Sequence, residues 1–185
     1  MAYCIRLSKC IVSAIAATAS ASIVAQPTQA DPAVTDWIYG QHADIVTGVM
    51  TPGASLMSTN ALPLSELRKH EKRNAYLGVR RTPEQSMEAT FSVDGNSSAP
   101  KAGACDPVAC SLKVRFGTSA PQTFIAVQHP NANFHYVIKD ARTFWDVAAK
   151  STGPIEVQYQ DLSNRTFEFQ FMTKKPLQPN KLQKR

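Results

Sequence analysis

The chain has 185 residues, 43 % of them hydrophobic, with 20 lysines and arginines against 14 acids for a formal net charge of +6. That is one domain's length with enough apolar material for a core, which excludes a fibrous, low-complexity or multi-span membrane protein. Every acid lies after residue 30, five cations crowd the last 12 residues and 31–173 is close to neutral, so the basicity belongs to the ends and argues against a nucleic-acid-binding core.

Residues 1–30 read as a cleaved export signal. Arg6 and Lys9 precede the uncharged run Cys10–Ala25, which is diluted with Ser, Thr and Ala and ends near a small-residue cleavage site at Ala30. The run is shorter than the roughly 20 apolar residues of a spanning helix, and no lipobox precedes Cys10, so the expectation is a periplasmic or secreted protein without a membrane span. Removing this segment takes Cys4 and Cys10 with it. Cys105 and Cys110 remain as an even pair in an oxidising compartment, and a disulfide is the natural outcome. A redox motif wants two intervening residues and a zinc site wants further ligands nearby, and neither is present.

From Asp31 the chain is expected to form a single β-rich domain to residue 173. A first strand runs from Trp37 past His42 and Asp44, with Gly48 and Pro52-Gly53 as breaks and Ala54 to Met57 as a short second strand. Residues 61–74 form the one strongly charged internal segment, expected as a surface loop. Strict alternation then marks Ala75 to Arg80 and Ser86 to Val93, the latter with Met87, Ala89, Phe91 and Val93 on one face. Asp94 to Cys110 is a 17-residue Gly, Ser, Ala and Pro-rich connection, long enough to be functional or disordered. Beyond it Leu112, Val114 and Phe116 face inward, and two more strands lie at Gln122 to Val127 and Phe134 to Ile138.

One helix is predicted. Asp140 caps it, Ala141, Phe144, Trp145 and Ala148 form its apolar stripe, and Gly153-Pro154 stops it. Two closing strands carry Ile155, Val157 and Tyr159, then Phe167, Phe169 and Phe171, as a hairpin with an aromatic inner face. Residues 174–185 show no periodicity and hold two prolines, the composition of a disordered basic tail. The sum is a mainly β fold, an antiparallel sandwich or partly open barrel of eight to nine short strands with one late helix.

Catalytic signatures are sparse. His42, Asp44, His129 and His135 could converge as a metal site or general base of a small exported hydrolase, but no helical His pair, nucleophile elbow or phosphate-cradling loop accompanies them. The reading therefore expects no cofactor, no metal and no catalytic residue. Arg68, Lys69, Lys72 and Arg73 are a candidate site for an anionic envelope polymer, interrupted by Glu66 and Glu71. The strongest feature is the loop Asp106, Pro107, Val108 and Ala109 between the cysteines. A ring this small is rigid before it meets a partner, which favours a contact loop for a protein of the cell envelope.

The segment C-D-P-V-A-C with its following strand S-L-K-V-R-F, residues 105–116, resembles the disulfide loop of the Ivy-type periplasmic lysozyme inhibitors. The resemblance implies inhibition of a cell-wall hydrolase through Asp106 to Ala109. Where that family's loop carries a histidine, this chain has none, and the helices preceding the loop there are not found here. The longer order of Trp37, Ser58-x-Asn60, Leu77-x-Val79-Arg80, the cysteine pair, Val114-Arg115-Phe116, late helix and Phe-rich hairpin is similar to small secreted proteobacterial proteins of unknown function.

Overall fold

The structure, a computed structural model, describes residues 36–44, 47–63, 72–94, 104–132 and 134–182. The chain divides into two compact units, Met1–Ala30 and Asp31–Arg185; all described residues lie in the second, and the expected export signal lies outside them.

That unit is mainly β. Its strands are β1 (Ile38–Ala43), β2 (Met50–Met57), β3 (Leu62–Pro63), β4 (Lys72–Arg73), β5 (Ala75–Arg81), β6 (Met87–Val93), β7 (Cys110–Phe116), β8 (Gln122–Gln128), β9 (His135–Ile138), β10 (Gly153–Gln160) and β11 (Thr166–Thr173), with a helix α1 (Ala141–Ala148) between β9 and β10. Nine of the strands form one antiparallel sheet in the order β1-β2-β5-β6-β9-β8-β7-β10-β11, while β3 and β4 pair separately. Pairing between near neighbours in sequence is what short connections favour.

The sheet curls on itself. Phe91 of β6 lies 5.6 Å from Tyr159 of β10 and 6.2 Å from Phe169 of β11, ring centroid to centroid, although several strands separate them in the sheet order. The two ends of the order are stitched by short polar contacts. Just past β2, Thr59 donates its N–H and hydroxyl to the Gln170 carbonyl, and the Asn60 side chain donates to the Glu168 carbonyl while accepting the Gln170 N–H. Residues flanking β2 thereby cover part of the β11 edge, which would otherwise offer unpaired backbone groups. The result is an open sheet rolled round a core of alternate inward residues, Leu56, Leu77, Phe91, Leu112, Val114, Val157, Phe169 and Phe171 among them.

Helix α1 fills the inside of the roll, as its stripe demands. Ala141, Phe144, Trp145 and Ala148 are buried, Asp140 caps the first turn by accepting the Thr143 N–H, and Phe144 packs edge-on against Phe116 of β7 and Phe124 of β8. Trp145 donates its indole N–H to the Glu88 carbonyl of β6. Burying an aromatic of this size contributes about 1.5–3 kcal/mol and fixes the helix against three strands.

The segment expected as a surface loop, 61–74, contributes the paired strands β3 and β4, and two further expectations change. β2 begins at Met50, not Ala54, and runs through Pro52 and Gly53. Its ladder with β5 starts only at Gly53, so Pro52 sits where β2 is paired on one side, a position that tolerates a missing donor. Residues 174–182, expected as part of a disordered tail, are placed. Leu177 and Leu182 are buried in the core, Pro179–Leu182 forms a 3-10 turn, and Leu177 N–H donates to the Ala148 carbonyl at the end of α1. Asp36 accepts the N–H groups of Lys174 and Lys175, and the Tyr39 hydroxyl accepts that of Gln178, so the segment straps β1 to the helix. Two buried leucines spaced five residues apart hold a segment that shows no periodicity.

Candidate functional site

Cys105 and Cys110 form a disulfide with their Cα atoms 5.3 Å apart, and both are buried at the start of β7. The four residues between them are exposed. Inside the ring Asp106 turns its carboxylate back on its own backbone, accepting the N–H groups of Val108 at 2.8 Å and Ala109 at 3.2 Å. This is the local side-chain-to-backbone bond that makes Asp a turn former. The Pro107 carbonyl accepts the Gln128 N–H from the end of β8, and the Cys105 N–H donates to the buried Tyr136 hydroxyl of β9 at 3.0 Å. Burial pushes the Tyr136 phenol up, so it stays protonated.

The loop leans on a second tight turn. Leu162, between β10 and β11, donates its N–H to the Ala104 carbonyl. Asp161 organises that turn, accepting from the Ser163 and Arg165 N–H groups and from the Arg165 guanidinium. Burial pushes the Asp161 carboxyl up, but Arg165 and the two backbone donors outweigh it and hold it below the ordinary range. Between the two turns lies an open groove of about 450 Å³, bordered by Asp106, Ala109, Lys113, Gln160, Leu162 and Thr166. Its lining mixes polar and apolar side chains, and Val108, next in the loop to the bordering Ala109, has 72 % of its surface exposed.

A second polar site occupies the outward face near the other end of the sheet. Register brings Gly53 of β2 opposite Arg80 of β5, and Arg80 opposite Glu88 of β6. Glycines at 53 and 78 lower the surface there. A Cβ at Gly53 would fall 2.6 Å from the His42 ring, and one at Gly78 would fall 2.5 Å from the Thr90 hydroxyl. The resulting pit of about 100 Å³ is lined by His42, Arg80, Glu88, Thr90 and His135. Arg80 bridges two carboxylates, donating from Nε to Glu88 at 2.7 Å and from Nη2 to Asp44 at 2.8 Å. Burial lowers the Arg80 pKa, and Glu88 and Asp44 more than restore it, so the guanidinium remains charged.

His42 and His135 are both held below the ordinary histidine range, first by burial. Arg80 adds to this for His42; for His135, His129 and Arg80 add to it and Glu88 partly offsets it. The His129 and His135 rings meet edge to face at 5.8 Å. Thus the predicted first strand, which carries His42 and Asp44, and the turn bracketed by His129 and His135 meet at one place: His42 and His135 line the pit, Asp44 joins it through Arg80, and His129 packs on His135. Among the described residues, however, no group of three or more His, Cys, Asp or Glu is positioned to hold a metal ion. Glu88, on the face of β6 opposite Met87, Ala89, Phe91 and Val93, is a largely buried ion-pair partner where alternation alone implies a solvated side chain. The overlooked signal was the pair of glycines inside strands, which marks close approach over a sheet.

The candidate anion site fares differently. Arg68 and Lys69 lie outside the described residues, and Lys72 falls in β4. Arg73, expected on a surface loop, is buried with its guanidinium 6.0 Å from the Phe134 ring centroid, so it serves packing and is not displayed to a polymer. No helix among the described residues is long and apolar enough to cross a membrane. No family model, curated protein or solved structure matches the chain.

Proposed function

We infer that this is a non-enzymatic binding or accessory protein of the cell envelope, in which the Cys105–Cys110 loop meets a protein partner. The observation that carries this reading is the state of the loop. The Val108 and Ala109 N–H groups are taken by the Asp106 carboxylate, the Pro107 carbonyl by Gln128 and the Cys105 N–H by Tyr136, while the tip Pro107-Val108-Ala109 is exposed beside an open groove. A tip ordered in advance spares the cost of immobilising it on binding, about 0.5–1.5 kcal/mol for each side chain otherwise fixed. The disulfide fits an oxidising compartment, where an exported chain would keep it.

Site-specific photocrosslinking tests this in the living host. Val108→p-benzoylphenylalanine and the same replacement at Leu162 should yield one shared crosslinked protein, and Asp146, exposed on α1, should not. Loss of that adduct on adding Val108→Asp to the Leu162 probe is expected. Adducts at 108 and 162 that share no species would reject the loop as a contact surface.

A further inference from the structure

Strand β1 ends the sheet, so hydrogen bonding along one side only, to β2, holds it in the sheet. Its beginning is tied to the C-terminal segment through Asp36 and Tyr39. Its end turns into β2 through bonds between Asp44 and Thr47, Gly48 and Val49, and one guanidinium ties it across the sheet to β5 and β6. Arg80 Nη1 donates to the Ala43 carbonyl at 3.3 Å and Nη2 to the Asp44 carboxylate, while Nε reaches Glu88 on β6. His42, the penultimate residue of β1, lies over Gly53 in the same pit.

We propose that the Arg80 pit is a proton-sensitive clasp on β1, closed while His42 and His135 are neutral and loosened when they take up protons. Among the described residues, the titratable and charged groups about His42 are Arg80 on β5, Glu88 on β6 and His135 on β9 in the pit, Asp44 on the far side of Arg80, and His129 behind His135; β2 contributes only the uncharged Thr51 and Gly53. With neutral imidazoles, Arg80, Asp44 and Glu88 sum to one negative charge. Two imidazolium ions turn that into one positive charge about the pit, beside a guanidinium whose bonds to Ala43 and Asp44 help fasten the strand.

The sign follows from the fold's preference for neutral rings. Both histidines bind protons less readily folded than unfolded. The clasp is therefore fully effective above the ordinary histidine value of about 6.5 and weakens as pH falls below it. Each unit of lowering becomes a factor of about ten in the ratio of closed to open strand once pH is below both values.

Hydrogen exchange on the full chain, corrected for intrinsic rates, measures this directly. Between pH 7.5 and 5.0, protection of Ile38–Ala43 should fall about tenfold or more while β7 and β10 keep theirs. His42→Gln with His135→Gln should flatten the dependence. Unchanged β1 protection would overturn the proposal, as would an equal fall in the double variant, which would assign the effect to carboxylates. Should that variant fail to fold, imidazole proton shifts in the unaltered protein decide: His42 and His135 titrating at or above 6.5 contradict the clasp.

Discussion

Two places in this sheet fasten a segment that would otherwise be loose, and they do so by opposite means. The Cys105–Cys110 loop is closed by a covalent bond, a carboxylate capping its own turn and a buried phenol, with no ion pair among its fastenings. The end of β1 is closed by Arg80 shared between two carboxylates, with imidazoles at its margin. The first fastening is indifferent to pH and salt in the physiological range, and the second depends on both. A contact loop profits from invariance, whereas an ionic clasp is the form of attachment that a change of surroundings can undo.

The contrast can be broken at several points. Arg80→Met should have the largest effect, about 3 kcal/mol by urea unfolding, because two largely buried carboxylates, Asp44 and Glu88, then lose the guanidinium they share; loss of β1 protection before that of β7 is the accompanying sign. Cys105→Ser with Cys110→Ser should cost about 2 kcal/mol on the loop-closure account, equally at pH 5.0 and 7.5. A loss that varied with pH would place the loop and the clasp in one network. Tyr136→Phe is expected to cost about 1–2 kcal/mol by leaving the buried Cys105 N–H unpaired, read as a fall in thermal midpoint. Asp106→Ala removes the turn's cap at about 1 kcal/mol and should raise amide exchange at Val108 and Ala109 only. Val108→Asp changes an exposed tip and should alter stability by less than about 0.5 kcal/mol.

Much of this fold was legible because the governing signals are local. Period-two alternation located most strands, and the Asp140 cap with the stripe Ala141, Phe144, Trp145, Ala148 located the helix. Cysteine arithmetic located the pinned loop. What local pattern cannot carry is register. His42, Arg80, Glu88 and His135 come from four strands, and their meeting depends on glycines at 53 and 78 sinking an outward face that alternation reads as solvated. The strap at 174–182 escaped for a related reason. Leu177 and Leu182 have no periodic neighbours, and what holds the segment is non-local: core burial and bonds to Asp36, Tyr39 and Ala148. Asp106 was legible as a loop residue, but its role as a cap that turns inward rests on geometry within the ring.

The central claim is that recognition resides in the tip of the pinned loop. Calorimetric titration of the crosslinked partner, once purified, against the unaltered protein, Val108→Asp and Ile38→Asp tests it most directly, since Ile38 on β1 is an apolar side chain of similar exposure, 65 % against 72 %. The account predicts binding weakened about tenfold or more by Val108→Asp, a loss of at least about 1.4 kcal/mol, with Ile38→Asp unchanged. Undiminished affinity of the Val108→Asp protein would contradict it.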